Sequence, residues 1–127
     1  AMLYERVFLP FFRRASRRAM DFDAGPVALP VPPADGRAFL YVHVPFCAVL
    51  CPFCSFHRVA YREGKAARYF AALRREILAY RDAGFRFTGA YVGGGTPTVA
   101  PAELSETLAL LRECFDLREL SVETNPS

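Results

Sequence analysis

No run of apolar residues in the 127-residue chain approaches the roughly 18 to 20 that a membrane-spanning helix needs, so no stable membrane insertion is expected. Excess charge of one sign is also scarce. Sixteen Lys and Arg face thirteen Asp and Glu, for a formal net charge of +3. That excess is too small to mark a nucleic-acid partner. Lysine is almost missing: Lys65 stands alone and the other basic residues are Arg, including Arg13, Arg14, Arg17 and Arg18. No long uncharged apolar core precedes a small-residue cleavage site, which disfavours a secretory signal and leaves a cytoplasmic chain as the expectation. Internal repeats are absent as well. What is abundant is apolar surface, 53% of residues against 23% charged, as in one globular domain or part of one rather than a disordered tail.

Two regions divide the chain. Residues 1–38 read as an N-terminal arm and a Pro-rich connector. Aromatic and aliphatic residues alternate with Arg in the arm, and Pro10 interrupts any single helix. The arm is expected to be partly helical and packed on the rest, with a membrane-surface segment or transit peptide as the rival. Gly25, Pro26, Pro30, Pro32, Pro33 and Gly36 then predict an extended connector.

Residues 39–127 are regular. Phe39 to Val44 is β-branched and aromatic, as in a buried strand that Pro45 ends. From Arg62 to Ala83, Ala66, Tyr69, Phe70, Leu73, Ile77 and Tyr80 recur at helical steps, with Gly84 placed to terminate the helix. Phe87 to Val92 predicts a second strand. Pro101 suits the first turn of a second helix whose buried face is Leu104, Leu108, Leu111 and Phe115. Leu120 and Val122 alternate with Ser121 and Glu123 in a third strand running to Asn125-Pro126. Strand, helix, strand, helix, strand is the order of two βαβ units on a parallel sheet. Three strands cannot close an eight-stranded barrel, which takes about 250 residues, so an N-terminal portion of a larger α/β fold is expected.

Cys47, Cys51 and Cys54 lie in the loop after the first strand. A turn brings thiolates at these spacings to one side, where they can hold zinc or an iron–sulfur cluster. Zinc wants four protein ligands, and His57 would have to supply the fourth. A cubane cluster on three thiolates leaves one iron open, which suits an enzyme that binds a ligand directly to iron. Cys114 reads as an ordinary buried thiol on the second helix, and His43 as a satisfied core histidine. Gly93-Gly94-Gly95-Thr96 follows the second strand at the carboxyl end, where α/β proteins bind ligands. It is neither a Walker motif, since no Gly-Lys-Ser/Thr follows, nor a dinucleotide fingerprint, since Thr98 stands at the third glycine place.

Tyr41-Val-His-Val-Pro-Phe-Cys47 with the C-x3-C-x2-C that follows, Gly93-Gly-Gly-Thr-Pro-Thr98 and Glu119-Leu-Ser-Val-Glu-Thr-Asn-Pro126 together resemble the radical S-adenosylmethionine (SAM) superfamily. Within it they are similar to the oxygen-independent coproporphyrinogen III oxidase (dehydrogenase) group. The resemblance implies the N-terminal part of an incomplete parallel (β/α) radical SAM barrel. It implies a [4Fe–4S] cluster on Cys47, Cys51 and Cys54, with SAM on the fourth iron and reductively cleaved to a 5′-deoxyadenosyl radical. The SAM contacts it implies are Tyr41, Phe53, Gly94, Gly95, Thr96 and Glu123. Core packing for Tyr41, a shielding role for Phe53, a tight turn for the glycines and an exposed strand-end carboxylate for Glu123 are the plainer readings. A tetrapyrrole substrate and a reductase or flavodoxin-type electron donor are implied partners. One departure matters. The oxidase group carries a cysteine two residues after the last cluster ligand, and here Ser55-Phe56 stands there. That brings the pattern closer to the heme-chaperone and heme-degrading relatives, so a heme-binding protein retaining the cluster is the alternative, with a zinc-stabilised binding module as the third reading.

Overall fold

The computed structural model describes Arg14, residues 28–35 and residues 37–125. Most of the expected arm lies outside the described residues, and residues 28–35 form neither helix nor strand. From Ala38 onward the order is β1 (Ala38–Val44), β2 (Phe46–Cys47), β3 (Val59–Ala60), α1 (Glu63–Asp82), β4 (Phe87–Gly94), a 3-10 turn (Pro97–Val99), α2 (Pro101–Cys114) and β5 (Glu119–Val122). The main sheet has the order β1-β4-β5 and is parallel throughout, as the alternating strands and helices required.

Alternation decides what faces the helices. The even-numbered residues Val42, Val44, Ala90 and Val92 are buried against α1 and α2, together with Ala66, Phe70, Ile77, Leu104, Leu111 and Phe115. Past a register shift at the start of β1 and β4 that leaves Phe87 in the core, the odd-numbered residues face the other way. The register sets Tyr41 beside Tyr91 and Ser121, and His43 beside Gly93. No helix among the described residues covers that second face, and Tyr41 is 55% exposed on it. His43 is therefore half-buried on the open face rather than in the core, a correction with a simple cause: its parity in β1 is that of Tyr41, not of Val42.

The chain stops α1 where expected. Gly84 takes φ +86°, its N–H donates to the Arg81 carbonyl at 2.9 Å, and the Phe85 N–H donates to the Tyr80 carbonyl at 3.1 Å. This is a Schellman cap, and its usual apolar partner contact is the edge-on pair Tyr80–Phe85, centroids 5.0 Å apart. Between the helices, Arg74 bonds Glu103 at 2.8 Å and also reaches the Oγ1 of the buried Thr107 at 3.4 Å. Two details exceed the sequence expectation. β2 and β3 form a separate two-stranded parallel ladder, and the third strand ends at Val122 rather than running on to Asn125. Pro126 lies outside the described residues. Among the described residues, no helix is long and apolar enough to cross a membrane.

Candidate functional site

The carboxyl ends of β1 and β4 carry the two motifs, and main-chain hydrogen bonds stitch them together. Gly95 N–H donates to the Val44 carbonyl at 2.8 Å, and Thr96 N–H to the Phe46 carbonyl at 2.7 Å. Gly95 is glycine because nothing larger fits. A Cβ there would lie 2.6 Å from the Phe46 carbonyl oxygen and 2.9 Å from Cys47 Sγ. Gly94 adopts φ +120°, a conformation that L side chains rarely adopt, and its missing side chain makes room for the His43 ring.

The cysteine loop spans residues 48–58 between β2 and β3, whose ends are held by Val59 N–H to the Pro45 carbonyl at 2.7 Å and Tyr61 N–H to the Cys47 carbonyl at 2.9 Å. Cys47 is buried at the end of β2, and the Thr96 hydroxyl points at its sulfur from 3.8 Å. Cys51 and Cys54 are half-buried and joined by a turn, Cys54 N–H to the Cys51 carbonyl at 3.2 Å, while the Arg58 guanidinium donates to that same carbonyl. All three thiols are free. Beside Cys51 and Thr96 lies a cavity of about 250 Å³, also lined by Val49, Thr98 and Asn125. Several apolar side chains of the loop point outward: Val49 and Phe56 are exposed, and Phe53 is 86% exposed. Cys47 at the end of β2 and Cys51 and Cys54 on the loop after it are three soft sulfur donors which, as thiolates, are a donor set that fits an iron–sulfur cluster.

Among the described residues, no three His, Cys, Asp or Glu side chains are gathered as a metal-ion site. His57, the fourth ligand of the zinc reading, lies against His43 instead, ring centroids 6.1 Å apart. Cys114 is half-buried, packed against the edge of the core rather than sealed within it. It is the last residue of α2, at the opposite end of the strands from the cysteine loop, and its sulfur meets Arg81 Nη1 at 3.9 Å.

Glu123, just past β5, turns to the open face as its parity predicts. Its Oε1 accepts from Tyr91 Oη at 2.5 Å and its Oε2 from Gly94 N–H at 3.0 Å. These two donors, Tyr91 foremost, hold its carboxyl below the usual carboxylate range. Tyr41 Oη lies 3.0 Å from His43 Nδ1, and the Tyr41 ring stacks on Tyr91. The open face thus brings Tyr41, Gly94 and Glu123 together. Gly95 and Thr96 sit against Cys47, and Phe53 stands apart in solvent. The sequence reading missed Tyr91. Its signal was available: it has the parity of Gly93, two residues before the glycine motif.

The cysteine segment lies beyond β1 and the glycine turn ends β4, and comparison with known families supplies the class that carries these motifs. Residues 41–127 match the radical SAM superfamily, and the chain belongs to it. Among its relatives, the oxygen-independent coproporphyrinogen III oxidase of Escherichia coli K12 is 42% identical over 94 residues, covering 68% of this chain and 21% of that protein. The heme chaperone HemW of Mycobacterium tuberculosis is 40% identical over 119 residues, 84% of this chain and 30% of that one. The solved structure of coproporphyrinogen III oxidase (HemN) from Escherichia coli superposes with a TM-score of 0.61 at 38% identity, over 71% of this chain and 22% of that one. The chain therefore spans less than a third of the length of these relatives.

Proposed function

We propose that this chain is the N-terminal part of a radical SAM enzyme, with Cys47, Cys51 and Cys54 as ligands of a [4Fe–4S] cluster. The observation that carries the reading is the placement of three free thiols within eight residues beyond the carboxyl end of β1, with Cys47 wedged against Gly95 and Thr96. When bound, the cluster would supply the electron that cleaves the sulfonium bond of SAM. The chain's own residues supply position. Gly94, Gly95 and Thr96 offer close backbone approach, Glu123 offers a fixed carboxylate to the ammonium of the methionyl end, and Phe53 and Tyr41 offer exposed aromatic faces. Residues 39–127 form the partial barrel in this reading and residues 1–38 its arm and connector. A tetrapyrrole is the substrate class, drawn from the oxidase relatives, a reductase or flavodoxin-type protein is the electron donor, and a cytoplasmic site suits thiols left free.

A heme-binding or heme-delivering protein that keeps the cluster is the second reading. It is favoured by Ser55-Phe56 in place of the oxidase group's further cysteine. The HemW match also covers more of the chain than residues 39–127 make up, so it reaches into the segment before the domain. Hydrogen abstraction coupled to a modified tetrapyrrole separates the two, because a chaperone releases its heme unchanged.

Anaerobic reconstitution with iron and sulfide tests the common core of both. A brown protein with iron and sulfide in equal amounts is expected; stoichiometric zinc without visible absorbance would overturn it. Cys114→Ala should retain the full iron content, because Cys114 lies at the far end of the strands. Loss of iron in that variant would mean the ligand count of three is wrong.

A further inference from the structure

We infer that Tyr91 is a positioning residue, holding Glu123 in place to receive a cationic group of the ligand. The inference rests on the proposed SAM site and adds a residue to it. Tyr91 sits on the central strand, one row below Gly93, and reaches up to Glu123 Oε1 at 2.5 Å while the Gly94 N–H fixes Oε2 at 3.0 Å. Each carboxylate oxygen therefore has its own donor, and both donors are neutral groups of β4. An ionised carboxylate has about four acceptor sites, so two donors leave capacity for an incoming N–H. Among the described residues, no Arg or Lys forms an ion pair with Glu123. A fixed carboxylate without a cation of its own is complementary to an ammonium.

The space around it is kept for this pair. A Cβ at Gly93 would lie 2.8 Å from Glu123 Oε2 and 2.8 Å from the Tyr91 ring, so the first glycine of the motif makes room for the link between them. The Tyr91 ring is itself steadied by Tyr41, centroids 6.2 Å apart and planes within 19°. The titratable groups facing the pair are Tyr41 and His43 on β1. Glu123 ionises below the usual carboxylate range because Tyr91 and Gly94 donate to it, with His43 adding to the effect. The Tyr91 hydroxyl is pushed above the usual phenol range by the same bond. A depressed carboxyl pKa keeps the anion present at lower pH, so losing the hydroxyl moves the acid limit of ammonium binding upward.

Tyr91→Phe removes Oη and keeps the ring on Tyr41, which makes it the informative variant. In the whole chain without cofactors, carbon NMR of the Glu123 carboxyl should show its titration midpoint rising toward the ordinary carboxylate range in Tyr91→Phe. An unchanged midpoint would overturn the positioning role whatever the ligand. In the reconstituted chain, SAM affinity in Tyr91→Phe should fall about threefold to tenfold, with the loss growing as pH is lowered. Glu123→Gln should weaken SAM at all pH values. If Glu123→Gln bound SAM like the parent, the SAM assignment of Glu123 would fail, while the NMR result would still report on the link between the two residues.

Discussion

Replacing Cys51 with Ala is expected to leave the anaerobically reconstituted protein with only background iron and sulfide. The substitution is a clean deletion. Cys51 contributes its carbonyl to the loop, accepting from Cys54 N–H and from Arg58, and alanine keeps that carbonyl. Only the sulfur goes. Two thiolates, Cys47 and Cys54, then remain for a cubane that needs at least three, and Cys114 cannot replace the lost one from the other end of the strands. Far-UV circular dichroism should match the parent, which separates loss of the ligand from loss of the fold. Iron content equal to that of the parent would overturn the assignment of the cysteines.

The second large effect is expected from Gly95→Ala, which tests the joint between the two motifs. The added Cβ would meet the Phe46 carbonyl oxygen at 2.6 Å, the Pro45 carbonyl carbon at 2.9 Å and Cys47 Sγ at 2.9 Å. Two of those atoms belong to buried backbone, which cannot swing aside as the end of a flexible side chain can. Overpacking of this kind costs about 1–3 kcal/mol, or about 5–20 °C in Tm for a domain of this size. The variant should also retain less iron, because the contact that yields most easily is the Cys47 sulfur. A melting temperature within about 2 °C of the parent would show that the loop moves freely against the glycine turn.

Much of the fold was legible because it depends on local pattern. The 3.6-residue spacing from Ala66 to Tyr80, with Gly84 after it, located α1 within a residue or two, and strand composition located β1 and β4. The β2–β3 ladder was not legible. Two-residue strands carry no periodicity, and Phe46–Cys47 pairs with Val59–Ala60 only because Pro45 and the closing end of the loop happen to meet there. At the site, the main-chain links between the ends of β1 and β4 set Cys47 against Gly95 and Thr96. Partnerships across strands were harder. The pairing of Tyr91 with Glu123 depends on the register of β4 on β5, which the one-dimensional pattern does not state. His43 was misplaced because Val42 and Val44 made the whole strand read as buried, whereas its parity puts it on the open face with Tyr41.

The ladder that closes residues 48–58 has a further consequence for how a cofactor could assemble there. Bringing the two ends of a flexible segment together carries an entropic cost that grows only slowly with its length. In this chain those ends are already joined by Phe46–Val59 and Cys47–Ala60, by main-chain pairing that involves no sulfur. A metal centre arriving at the loop therefore meets a tethered ring of chain rather than an open strand. The ordering left to it is confined to the ring's interior, so its affinity should follow the strength of the sulfur–metal bonds more closely than the length of polypeptide between them.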